Sequence, residues 1–93
     1  MTSSAITMDI TAQDISGQTR TRARGIVGDT SIRELVQRLL PQMRLVRKDV
    51  GGHPLEYRAR LEREGRHLAD SEIVANALQP GDEITLQPRI NAG

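Results

Sequence analysis

One stretch of this chain has the full signature of a helix, and nearly everything around it has the period of a strand. In GDTSIRELVQRLL, residues 28–40, Ser31 is followed three residues later by Glu34, and Ile32, Leu35, Val36 and Leu39 recur at helical spacing. Serine and glutamate so spaced form a capping box, and the apolar stripe gives the helix a face to bury. Pro41 lacks the amide that would bond Gln37 and crowds its carbonyl, so the regular helix is expected to end or kink near Leu40. The following QMRLVRKDVGGHP either adds another helical turn or passes into a loop marked by Gly51, Gly52 and Pro54.

A lone helix must bury its stripe against other elements, and the flanking segments alternate. Residues 6–12, ITMDITA, place Ile6, Met8, Ile10 and Ala12 on one face and Thr7, Asp9 and Thr11 on the other. Asp14, Ser16 and Gly17 supply turn chemistry. QTRTRARGIV then alternates again, with Arg20, Arg22 and Arg24 on a wet face and Thr19, Thr21 and Ala23 opposite; the two runs read as a β-hairpin. LEYRARLE turns Leu55, Tyr57, Ala59 and Leu61 inward and Glu56, Arg58, Arg60 and Glu62 outward. Gly65 marks a turn into a short strand. ADSEIVANAL predicts a short helical turn capped by Asp70 or Ser71 that packs Ile73, Val74 and Leu78. Pro80-Gly81 fits a type II turn before a last strand carrying Ile84 and Leu86, which Pro88 stops. The order is β-β-α-β-β-(short helix)-β, an α+β fold with one main helix over a mixed sheet.

Composition narrows what such a fold can do. The 93 residues make one domain. Tyr57 is the single aromatic residue, so the core must be aliphatic. With no cysteine, a disulfide framework, a thiol nucleophile and a cysteine-based zinc site are excluded, and a reducing cytoplasm suits the chain. His53 and His67 lack companions at metal-ligand spacing, so no metal is expected. A net charge of +1 gives no global field for nucleic acid, and the arginines of the hairpin read as a solvated strand face. No run approaches the roughly 20 apolar residues of a membrane span, and MTSSAITMDI lacks the layout of a signal peptide. No nucleophile and base stand together, so the chain does not read as an enzyme.

The order of elements and the residues that carry it resemble ubiquitin and its β-grasp relatives over about residues 6–93. The second half, RLEREGRHLADSEIVANALQPGDEITLQPRINAG, is the better match. Gly65, Leu68, Asp70, Ile73 and Leu86 fall where ubiquitin has its turn glycine, core aliphatics and acidic cap. Arg89 lies at the tail arginine and Gly93 at the terminal glycine. Ala92 replaces the usual penultimate glycine, Asn91 replaces a basic residue, and the loop from Pro41 to Pro54 is several residues longer. Where ubiquitin presents an apolar reader-binding face, the matching outward positions here are Glu62, Thr85 and Gln87.

The resemblance implies a prokaryotic ubiquitin-like protein modifier, with a β-grasp domain over residues 5–88 and a flexible tail over 89–93, monomeric when free and needing no cofactor. An E1-like activating enzyme would adenylate the Gly93 carboxylate and pass the acyl group to a cysteine as a thioester. An E2-like enzyme would conjugate it to target proteins, and a JAB-type peptidase would release it, in some bacterial operons as part of antiphage defence. Gly93 and Ala92 are then the conjugation residues, glycine's missing Cβ allowing close backbone approach. Arg89, Arg60 and Ile90 are the expected recognition residues, the two arginines on matching outward positions. Lys48, the single lysine of the chain, is the candidate acceptor for chains of modifiers. Two alternatives stay open: a non-conjugated docking module like the ubiquitin-like components of type VII secretion, and a sulfur carrier.

Overall fold

The first alternating run forms β1 (Thr7–Asp14), which buries Met8, Ile10 and Ala12 and leaves Thr7 exposed. β2 (Arg20–Val27) returns antiparallel to it, burying Ala23 and Ile26. The computed structural model describes residues 7–46 and 48–89. Within them follow α1 (Ile32–Met43), β3 (Tyr57–Leu61), β4 (Arg66–His67), the four-residue α2 (Val74–Ala77) and β5 (Glu83–Pro88). The sheet order is β2-β1-β5-β3-β4. β5 runs parallel to β1 and antiparallel to β3, so the sheet is mixed and its last strand is central.

One core joins the two layers. Ile32, Leu35, Val36 and Leu39 of α1 pack in a single cluster with Met8, Ile10, Leu61, Ile84 and Leu86, as their spacing predicts. Ala59 is also fully buried, while Leu55 and Tyr57 are half-buried at its margin. Among the described residues no helix is long and apolar enough to cross a membrane.

Three local features depart from the sequence reading. Strict alternation would point Gly25 inward after Ala23. Instead Met8 pairs with Ile26 and Ile10 with Ala23, leaving two residues, Arg24 and Gly25, opposite Asp9. Such a bulge reverses the phase of the strand and lets Ile26 face the core. Gly25 takes φ 65, which costs glycine nothing.

The helix also continues past Pro41 to Met43, where Arg44 caps it in the left-handed region at φ 54 and donates its amide to the Leu40 and Pro41 carbonyls. Pro41 sits in the last turn, where its own missing amide bond is the main loss. Burying Leu40 and Met43 on the core favours keeping the turn, each worth about 1.5–3 kcal/mol.

Neither Asp70 nor Ser71 caps the short helix. It starts at Val74 after Ile73, with no side-chain cap bond. The 70–72 backbone is instead held by α1, whose orphan amides it satisfies: Ile32 N donates to Glu72 O (2.8 Å) and Arg33 N to Asp70 O (3.1 Å). Ser31 Oγ accepts from Glu34 N at 3.1 Å, but the Glu34 carboxylate turns to Arg38 (3.5 Å).

Candidate functional site

β5 is flanked by β1 and β3, so its side chains are placed more firmly than those of any edge strand. Ile84 and Leu86 face the helix, while Thr85 and Gln87 face away from it. The outer positions form one hydrogen-bonded row. Gln13 Nε2 donates to Thr85 Oγ1 (3.2 Å), which donates to Glu62 Oε2 (2.6 Å), while Arg60 Nη1 donates to Glu62 Oε1 (2.8 Å). The Thr85 hydroxyl holds the Glu62 carboxyl below the usual glutamate range; burial opposes this, and the bond and charge of Arg60 add to the lowering. His67 Nε2 lies 3.0 Å from Gln87 Oε1 on the same side. The row is self-satisfied, and its open polar recess runs from Gln13 and Asp14 to Arg60 and Gln87 beside the exposed Ile15. It offers a partner polar contacts with one aliphatic group at the margin, not an apolar anchor.

The end of β5 is fastened on the other side of the sheet. Pro88 stands opposite Tyr57. The main-chain bonds from Glu62 N to Glu83 O and from Arg89 N to Glu56 O (2.6 Å) put that pair at a non-hydrogen-bonded position of the ladder. The proline nitrogen therefore faces β1, which has already ended at Asp14 opposite Leu86. The strand ends at Pro88 as its residue type predicts, yet pairing reaches one residue further. The Arg89 side chain donates to Asp70 Oδ1 at 3.3 Å, both groups being over a third exposed. Around it lies a recess floored by Val36, Leu40, Leu55 and Tyr57, with Arg33 at its rim.

Arg60 and Arg89 therefore do not share a surface. Arg60 lines the outer recess beside Glu62; Arg89 lines the recess under α1 beside Asp70. Arg89 lies one residue past the end of β5, and its long side chain reaches Asp70 on the helix side, where simple alternation would have pointed it outward. Lys48 is exposed and bridges Pro54 across the long loop. Ile90, Ala92 and Gly93 lie outside the described residues. The sequence reading missed Asp70 as the partner of Arg89. It also missed the tight anchoring of the turn before β5 by Arg63, which grips the buried Asp82 with two bonds of 3.0 and 3.1 Å. The signal for the latter was a lone aspartate after Pro-Gly, where a type II turn points a carboxylate back at its own first amide; Gln79 N donates to it at 2.8 Å.

No protein-family model matches the sequence, and no curated protein matches it. Solved structures do. The chain is similar to the ubiquitin of Caldiarchaeum subterraneum, with a TM-score of 0.66 and 16% identity over 94% of this chain and 99% of that one. It is similar to a protein of molecular mimicry of SUMO that promotes DNA repair, with a TM-score of 0.61 and 17% identity over 87% of this chain and 90% of that one. A de novo design based on ubiquitin gives 0.63 and 22% over 94% of this chain and 95% of the design. Identities this low speak for the fold alone. With its helix laid across a mixed sheet of order β2-β1-β5-β3-β4, the chain has the ubiquitin-like β-grasp fold.

Proposed function

We propose that this protein is a ubiquitin-like modifier whose Gly93 carboxylate is activated and joined to target proteins. A carboxylate oxygen attacks the α-phosphate of ATP on an E1-like enzyme and pyrophosphate leaves. A cysteine thiolate then displaces AMP to give a thioester. An E2-like enzyme takes over the acyl group and delivers it to an amine. The chain supplies the acyl group and its delivery, and its partners supply the catalysis. The observation that carries this reading is the likeness to an archaeal ubiquitin over 99% of that protein's length. The fixed Arg89 supports it. From that residue, the four residues to Gly93 give an arm of at most about 13–14 Å.

A non-conjugated docking module is favoured instead by the outer face, where Thr85, Glu62 and Arg60 satisfy one another and leave no apolar anchor. The two readings separate in one experiment. Full-length and Gly93-deleted protein are incubated with ATP and an E1-like protein from the same organism, and a reducible thioester is sought on gels. Charging of the full-length chain alone supports the modifier. Equal charging of both, or of neither, leaves the docking module. The intact mass of the natural protein reads in parallel which residue ends the mature chain.

A further inference from the structure

The loop after α1 is built to hold still, yet it buries little of what it carries. Arg44 fixes its entry in the left-handed region. Leu45 packs on the core, and the Tyr57 hydroxyl donates to Val46 O at 2.6 Å. Burial raises the Tyr57 phenol above its ordinary value, so it remains a donor across the physiological range. Lys48 and Pro54 bridge the base of the tip. Inside it, Asp49 N donates to His53 O (2.9 Å), and Gly52 N donates to Asp49 O (3.0 Å). Asp49 Oδ1 accepts from Gly51 N (2.8 Å) and His53 N (2.9 Å) and lies 3.3 Å from His53 Nδ1.

At the crest of this braced turn stands Val50, fully exposed, and at its root Val46 is 64% exposed. A braced loop loses little freedom on docking, which is where flexible loops forfeit affinity. Cations outnumber anions around the valines. Residues 41–54 hold three basic residues (Arg44, Arg47, Lys48) against the single Asp49, a net +2, so the remainder of the chain carries net −1. The Asp49 carboxylate is turned into the loop. Among the described residues, Arg44 and Lys48 are exposed and have no acidic partner.

We propose that the loop 44–54 is a docking finger for a protein partner, whose apolar pocket takes Val50 and whose carboxylates face Arg44 and Lys48. Complementary charge would set the orientation of encounter, and the valine would supply the desolvated contact. A lipid surface fits less well, since one crest valine with few cations is a slight hold on a bilayer. The inference does not depend on conjugation of Gly93.

The test places a photo-reactive benzoylphenylalanine at Val50 of the full chain, in the cells that make the protein. The expected result is a protein adduct that falls at least fivefold when Arg44→Glu and Lys48→Glu are added. Its cross-linked site should map to an apolar pocket bordered by Asp or Glu. With that partner purified, Val50→Asp should weaken binding at least tenfold while leaving the thermal midpoint unchanged. Absence of an adduct, an adduct indifferent to charge reversal, or a cross-linked site without acidic neighbours overturns the proposal. So does Val50-dependent binding to vesicles of equal phosphatidylcholine and phosphatidylserine, which assigns the loop to membranes.

Discussion

The carboxylate of Asp9 accepts a hydrogen bond of 2.9 Å from the amide of Gly25, at the point where β1 and β2 slip by one residue. The bulge turns Ile26 into the core, and Gly25 holds it at φ 65. A Cβ built on Gly25 meets nothing within 4 Å, so any cost of Gly25→Ala is backbone strain alone, about 1–2 kcal/mol. Asp9→Ala removes a partly exposed bond worth about 0.5–1.5 kcal/mol. Urea unfolding of both variants checks this, and an unchanged or raised midpoint for Gly25→Ala would contradict the left-handed bulge.

Acid sensitivity follows from Asp82. Burial opposes its ionisation, but the two bonds from Arg63, the Gln79 amide and the Arg63 charge outweigh burial and hold its pKa below the ordinary aspartate value. The Arg66 guanidinium, with the Ala69 amide, likewise lowers Glu72. A depressed folded-state pKa means that the unfolded chain binds protons more readily, so this stability is complete above the unfolded value near about pH 4 and is lost as pH falls through the folded one. Asp82→Asn should be less stable at neutral pH and show a flatter decline below about pH 4 than the parent. Parallel denaturation curves from pH 2 to 7 (about 298 K) would show it; identical slopes would mean that Asp82 is not a main contributor.

What could be read from the sequence was what repeats along the chain. The capping serine, the helical stripe, the alternation of β1 and β3 and the turn at Pro80-Gly81 each have a local cause, and each is where its period puts it. The misreadings had non-local causes. Helix α1 outlasts Pro41 because Leu40 and Met43 find room in the core. Asp70 resembles a cap from its neighbours in sequence, but its carbonyl serves Arg33 of α1 and its carboxylate serves Arg89 of the chain's end. At the candidate site, residue types were legible and faces were not: Arg60 and Arg89 fall on different recesses.

Leu61 and Leu86 are both essentially fully buried, on adjacent strands of the same face. Replacing either by Ala should cost about 2–5 kcal/mol, a large share of a small domain's stability. Chemical denaturation measures it. A loss below about 1 kcal/mol at both sites would be incompatible with their place in this core.

Lys48 is exposed and is the one lysine side chain in the sequence. If the protein acts as the proposed modifier and forms lysine-linked chains with itself, every such link must use Lys48. Peptide mapping of conjugates should find a modified Lys48, and Lys48→Arg should abolish the link. Polymers that persist in Lys48→Arg with a blocked N-terminal amine would rule out amine-linked chains.

Charge reversal at the two arginines should separate their roles. Arg60→Glu sets a second carboxylate beside Glu62, which now accepts from Arg60 at 2.8 Å, and disturbs the outer polar row. Arg89→Glu sets one against Asp70, 3.3 Å from the present guanidinium, at the base of the arm that carries Gly93. Both pairs are about a third or more exposed, so each reversal should cost only about 1 kcal/mol or less in folding. On the proposed function, their effects on activation should differ more. Arg89 holds the exit of the chain, and if its charge is desolvated against the activating enzyme, reversal should lower the rate of thioester formation by about 1–3 kcal/mol, roughly 5- to 150-fold. Arg60 looks onto the opposite face, so Arg60→Glu should act independently, and the two losses should add to within about 0.5 kcal/mol. Single-turnover charging of the two single variants and the double variant reads this directly. Strong non-additivity would place both arginines against one enzyme surface, and unchanged rates in all three would leave them as ordinary solvated arginines.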